Sequence, residues 1–238
     1  MTFTQAEFDV RLEWGEQGVY FLAPVCDVVI IVDILSFSTS VEIATSRGAI
    51  IYPYRWRDET AQEFAKSIGA ELAGKSRDAN FSLSPQSMMD IPKGTKLVLP
   101  SPNGATLTLT TGRTPTFAGC LRNAQAVAEF AQKYGDRIAV IPAGERWQDG
   151  TLRPSFEDLI GAGAIIHSLN GNCSPEALAA VSAFQTVKKD LATLLYECGS
   201  GKELIERGFE QDVLIASELN VSNCVPLFQN GAYYGRAT

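Results

Sequence analysis

At 238 residues, with 45% hydrophobic and 20% charged side chains, the chain has the make-up of a soluble globular protein and is long enough to bury a substantial core. Its net charge of -7, from 20 Lys and Arg against 27 Asp and Glu, excludes a surface that holds nucleic acid through clustered cations. No apolar run approaches the roughly 20 residues of a membrane span, the start "MTFTQAEFDVRLEWGE" lacks the parts of a signal peptide, and five cysteines without a Cys-x-x-Cys pair point to reduced thiols, so a cytoplasmic protein with no membrane partner is expected.

Short apolar runs alternate with amphipathic stretches. Val28–Val32 reads as a buried strand, followed by a helix near Ser40–Arg47 that Gly48 stops. Ala49–Pro53 is the next strand, and Asp58 caps a helix through Ile68 that Gly69 ends. The stretch Gly74–Gly94 is long, polar and weakly periodic, which reads as an irregular functional loop. Strands at Lys96–Pro100, Thr116–Ala118 and Ile138–Pro142 then alternate with helices at Ala105–Thr111 and Ala124–Tyr134. Helices dominate the remainder: Phe156–Leu169, Glu176–Tyr196 with Ser174 as cap and Pro175 in its first turn, and Lys202–Arg207. The alternation predicts an α/β protein, with a mainly parallel or mixed sheet and helices on both faces, as one domain over 1–238 or two closely packed lobes.

In an open α/β sheet, ligands bind beyond the carboxyl ends of the strands. Asp33 follows the first strand, with Ser36, Ser38, Thr39 and Ser40 behind it. Ser101, Asn103 and Gly104 follow Leu99, Arg122 and Asn123 follow Ala118, and Glu145 and Arg146 follow Ile141. Each group has a plain structural reading: Thr39 with Glu42 fits a capping box, "SPNG" fits a turn, and Glu157 and Asp158 are first-turn acids that suit a helix dipole. Their joint occurrence at equivalent places favours a site. Ser, Thr and Gly at helix starts hold phosphate oxygens, and carboxylates without histidine partners hold hard cations such as Mg²⁺. Several known phosphate motifs are absent. No cysteine has an arginine six positions on, Leu35 stands where a second Asp would complete Asp-x-Asp, His167 is the single histidine, and "CGSGKE" is not a P-loop.

These residues resemble the 2-phosphosulfolactate phosphatase family of the coenzyme M pathway and its bacterial homologues. "VVIIVDILSFSTS", "SPNGAT", "GCLRNA", "FEDLIGAG" and "GSGKELIERGFEQDV" look like the family's segments in the family's order, over nearly the whole chain. The resemblance implies a Mg²⁺-dependent acid phosphatase that turns 2-phospho-3-sulfolactate into sulfolactate and phosphate. Mg²⁺ is then expected on Asp33 with one or both of Glu157 and Asp158, and the phosphate on Ser38, Thr39, Asn103 and Gly104. The attacking group is water or Asp33 itself. Ser36, Ser101 and Asn123 complete the expected substrate contacts, and Arg122, Arg146 and Lys75 a cationic rim for the small anionic substrate, with Arg55, Arg57 and Arg153 behind them. Lys75 replaces an acid of the family pattern, Leu83 an amide, and Ser36 an arginine. These departures leave two alternatives: a non-catalytic homologue that binds a small phosphorylated or sulfonated acid, and a lyase on a phosphorylated hydroxy acid. A homodimer is left open.

Overall fold

The computed structural model describes residues 2–74 and 80–237; Lys75 lies outside them. In chain order the first elements are β1 (Val10–Leu12), α1 (Gly15–Leu22), β2 (Val28–Val32), α2 (Phe37–Ser46), β3 (Ile50–Tyr54), α3 (Glu59–Ser67) and β4 (Glu71–Leu72). A loop with a 3₁₀ turn at Pro85–Met88 leads to β5 (Lys96–Pro100), α4 (Gly104–Thr108), β6 (Thr116–Gly119), α5 (Ala124–Ala131) and β7 (Ile138–Pro142). A small ribbon, β8 (Glu145–Arg146) with β9 (Leu152–Arg153), precedes α6 (Phe156–Ile166), α7 (Pro175–Val187), α8 (Leu191–Glu197), α9 (Gly199–Glu206) and α10 (Glu210–Ser217). The chain closes on the hairpin β10 (Cys224–Gln229) and β11 (Ala232–Ala237).

The large sheet has the order β1-β7-β2-β6-β10-β11-β3-β5-β4. Strands β1, β7, β2 and β6 are mutually parallel, as are β3, β5 and β4. Between the two blocks, β10 runs antiparallel to β6 and β11 antiparallel to β3, so the blocks point in opposite directions along the sheet. The carboxyl ends of β2 and β5 nevertheless lie together, since Asp33, just after β2, accepts from the N–H of Gly104, just after β5, at 2.8 Å. The fold is α/β with a mixed sheet, as the alternation predicts.

The unbroken apolar run of β2 follows from cover on both faces. Val28, Ile30 and Val32 pack into a core with residues of α5, α6 and α7, while Val29 and Ile31 pack under Val19 and Leu22 of α1 and Leu107 of α4. A third cluster joins Phe37, Val41 and Ile43 of α2 to Ile51, Leu97 and Tyr233. None of the described helices is long and apolar enough to cross a membrane.

Strands β2, β5 and β7 have the predicted bounds. Helix α2 starts three residues before the predicted Ser40, because Asp33 accepts from the N–H groups of both Phe37 and Ser38. The single helix predicted over Glu176–Tyr196 is two, α7 and α8, with a turn at Lys188–Asp190. Buried Ala177, Ala180, Phe184, Leu191 and Leu195 keep helical spacing across the break, so the pattern hides it. The prediction also lacked β1, α1, α10 and the terminal hairpin. Asn230 and Gly231, at φ of 53° and 81°, form the two-residue turn that marks such a hairpin, and the Asn-Gly pair was its available signal.

Helices α6 and α7 meet at Gly163, where an added Cβ would lie 2.1 Å from the carbonyl oxygen of Ala180. Helix propensity favours alanine there by about 1 kcal/mol. Overpacking against a backbone atom costs roughly 1–3 kcal/mol or more, so Gly163→Ala should lower the denaturation midpoint in urea despite the better helix former. A midpoint at or above that of the parent would show that the two helices can move apart freely.

Candidate active site

The ends of three strands converge through two carboxylates that bind backbone. Asp33, 6% exposed at the end of β2, accepts from the N–H of Phe37 at 3.2 Å and of Gly104 at 2.8 Å. Ser101 lines the same cleft as Asp33. Gly104 can come so close only because it lacks a side chain: a Cβ would lie 2.4 Å from the Phe37 ring and 2.7 Å from Asp33 Oδ2. Asp158, in the first turn of α6, accepts from Ile34 N–H at 2.7 Å and Gly144 N–H at 2.8 Å, joining the ends of β2 and β7. Asn103 turns its side chain away from its own helix and donates Nδ2 to Glu145 at 3.0 Å.

A cleft of about 400 Å³ opens over this floor. Asp33, Ser36, Ser101, Asn103 and Glu145 line the strand-end side, and Ser200, Glu203, Leu204, Arg207, Phe209 and Asp212 the side of α9 and α10. Arg57, beyond β3, and Ser82, Leu83 and Ser84 of the long loop complete it. Asp212 anchors that loop, accepting from the Ser84 hydroxyl at 2.6 Å and Gln86 N–H at 3.0 Å.

Burial, with Glu157 nearby, pushes the Asp33 carboxyl up to about 6 against the pull of its hydrogen bonds. Burial, then the charge of Asp33, pushes Glu145 up to about 7, with the Asn103 amide opposing. Asp158 is raised by burial and by Asp33 and Glu157. The floor therefore favours a proton or a cation.

A family model described as 2-phosphosulpholactate phosphatase matches residues 22–231. The chain belongs to that family. A protein of Methanothermobacter thermautotrophicus named 2-phosphosulfolactate phosphatase is 29% identical over 205 residues, covering 85% of this chain and 87% of its own. Proteins named probable 2-phosphosulfolactate phosphatase from Pseudothermotoga lettingae and Carboxydothermus hydrogenoformans are 26% and 30% identical, covering 88% and 83% of this chain and 93% and 84% of theirs. The chain is an enzyme of the phosphoric monoester hydrolase class.

In this 2-phosphosulpholactate phosphatase family member the expected site residues divide. Asp33, Ser36, Ser101 and Asn103 line the cleft. Gly104 spends its N–H on Asp33. Ser38 donates to the Ile31 carbonyl at 3.2 Å and accepts from Asp33 N–H at 2.8 Å, and Thr39 donates to the Ile34 carbonyl at 2.8 Å, so both hydroxyls brace the turn after β2. Asp158 has both oxygens on backbone N–H groups and is not among the residues lining the cleft. Glu157, 2% exposed, accepts from the Cys198 thiol at 3.5 Å and is not among the residues lining the cleft. Asn123 is fully buried and satisfied by Cys120 N–H and the carbonyls of Ala118 and Cys224.

The cationic rim also moves. Arg122 pairs with buried Glu42 at 2.8 Å and with Glu218, since the end of β6 faces α2 and the segment after α10 rather than the cleft. Arg146 pairs with Glu16 beside a neighbouring cavity of about 280 Å³. Arg57 and Arg207 line the cleft instead. Arg207 lies in the segment "GSGKELIERGFEQDV", quoted above for its resemblance, but nothing local marks it as lining the cleft. Glu145 stood among the strand ends and only its burial beside Asp33 singles it out.

Removing Arg122 leaves Glu42, which is 0% exposed, as an unpaired buried charge. Arg122→Ala should then cost roughly 3–5 kcal/mol of stability, with KM nearly unchanged, and Glu42→Gln in the same chain should recover part of the loss. A raised KM with unchanged melting would restore Arg122 to the substrate. Asp33 and Glu145 predict a pH effect of fixed sign. Both folded pKa values lie above the unfolded ones, so the stability they contribute is fully present below about 4 and is lost as pH rises through about 6 and about 7. In chelator, Tm should fall from pH 5 to pH 8, and Glu145→Gln should flatten that fall; an equally steep fall in the variant would contradict the placement of Glu145.

Proposed function

We propose that this enzyme hydrolyses 2-phosphosulfolactate to sulfolactate and phosphate, with Mg²⁺ held by Asp33 and Glu145. One observation carries the reading: two carboxylates from different strand ends, buried Asp33 and half-buried Glu145, line one cleft, each raised toward neutrality, with Ser101 and Asn103 also in its lining. Among the described residues no three His, Cys, Asp or Glu side chains gather closely enough to form a metal cage. A pair of carboxylates with neutral oxygens around it is the donor set Mg²⁺ takes, since that ion keeps much of its water and shares substrate phosphate oxygens. Bound there, Mg²⁺ supplies neutralisation of the charge on the phosphoryl oxygens.

The chain's own groups account for the rest. Two backbone N–H groups hold Asp33 in one orientation. The hydroxyls of Ser36 and Ser101 and the amide of Asn103 are the cleft's neutral hydrogen-bonding groups at this end and would orient phosphoryl oxygens. Both oxygens of Asp33 already accept hydrogen bonds, which weakens it as a nucleophile and favours water. Water attacks phosphorus, the bond to the ester oxygen breaks, and that oxygen takes up a proton to become the hydroxyl of sulfolactate. A cytoplasmic location fits the five free thiols.

Phosphate release from 2-phosphosulfolactate, measured with Mg²⁺ and with chelator, tests the reading. Asp33→Asn should lower kcat at least ~10²-fold, about 2.7 kcal/mol, because it removes a carboxylate where charge stabilisation supplies most of the barrier lowering. Full Mg²⁺-dependent activity in that variant would place the chemistry elsewhere.

A further inference from the structure

We propose that Arg57 and Arg207 recognise the acid groups that the substrate carries beside its phosphoryl group. The inference rests on the phosphatase reading for the phosphoryl end, and on the charge layout of the cleft for the other. Asp33 and Glu145 make the strand-end floor acidic. Arg57, in the segment after β3, and Arg207, at the C-cap of α9, are the cleft-lining cations among the described residues.

Both are available to a ligand. Arg57 enters no ion pair with a described residue. Arg207 has one partner, Glu203, one turn back at 3.2 Å, with both side chains more than half exposed, and its guanidinium lies 5.5 Å from the Phe209 ring. An exposed pair of this spacing is weak, so Glu203 can yield the guanidinium to a better acceptor. The arginines that sequence position favoured, Arg122 and Arg146, are engaged with acids elsewhere. With a net charge of -7 the protein repels anions at long range, so an anionic substrate needs cations where it binds. A guanidinium offers two parallel N–H donors that match a carboxylate or sulfonate. The phosphoryl group then faces Asp33, and the remaining acids face Arg57 and Arg207. The substrate class is a phosphoester bearing at least one carboxylate or sulfonate near the ester carbon.

Three substrates of falling charge test this: 2-phosphosulfolactate, 2-phospholactate without the sulfonate, and isopropyl phosphate without either acid. Arg57→Ala and Arg207→Ala should each cut kcat/KM on the first by at least ~10-fold, less on the second, and by under about threefold on the third, with lysine variants recovering part. Both variants should melt like the parent, since the two side chains are partly or fully exposed. Equal losses on all three would overturn the proposal, and so would no loss on any. Should the parent release phosphate from none of them, the phosphatase reading fails, and calorimetry with sulfolactate decides the arginines separately. Weaker binding by both variants would support them; unchanged binding, or none by the parent, would overturn them.

Discussion

Asp33 joins the two halves of the sheet because each of its oxygens accepts from a different stretch of backbone. Oδ1 takes the N–H of Phe37 at the start of α2, and Oδ2 that of Gly104 at the start of α4. The first belongs to the block containing β2, the second follows β5 in the block that runs the other way. Burying a carboxylate is costly in general, and donors at two helix starts, where N–H groups are otherwise unpaired, offset much of it. A longer side chain at 33 or any side chain at 104 would hold the blocks apart, and the cleft exists where they meet.

The same constraint sets the electrostatics. Once Asp33 and Asp158 are fixed by backbone N–H groups, Glu145 and Glu157 are left in their field with weaker partners: one amide for Glu145, a thiol for Glu157. Negative charge accumulates at the strand ends faster than hydrogen bonds can satisfy it. A bound cation would relieve the excess, and an acidic site could then accept a phosphoester. Cations from α9 and the segment after β3 line the same cleft and are free to serve other parts of the ligand.

What the sequence made legible follows from this layout. Strands β2, β5 and β7 were readable because each is an apolar run covered on both faces, and their ends named Asp33, Ser101, Asn103 and Glu145. The end of β6 was equally suggestive and led elsewhere: Glu42, which pairs with Arg122, lies 80 positions earlier, and no local pattern shows that α2 turns it toward β6. Arg57 and Arg207 stand out for the same reason only in the folded chain, since one cleft takes its lining from the segment after β3 and from α9, which lie far apart in sequence. The hairpin β10–β11 was legible through Asn230 and Gly231, and missing it hid the reversal between the two blocks. Charge and residue type can be read locally; direction of approach is a property of the packed sheet.

The residues that carry the family resemblance divide along the same line. Ser38, Thr39, Gly104, Asn123 and Asp158 use their polar atoms on backbone, so their recurrence in order reports a rigid frame at the strand ends. A frame of that kind positions a carboxylate to within a few tenths of an ångström and is blind to the rest of the ligand. The side chains that reach the cleft from beyond the strand-end frame, Arg57 on one side and Leu204, Arg207 and Phe209 of the C-terminal segment on the other, lie where the rest of the ligand would sit. Two chains can therefore share the strand-end motifs and the same chemistry at phosphorus while accepting different acids, because the frame and the rim are built by different parts of the fold.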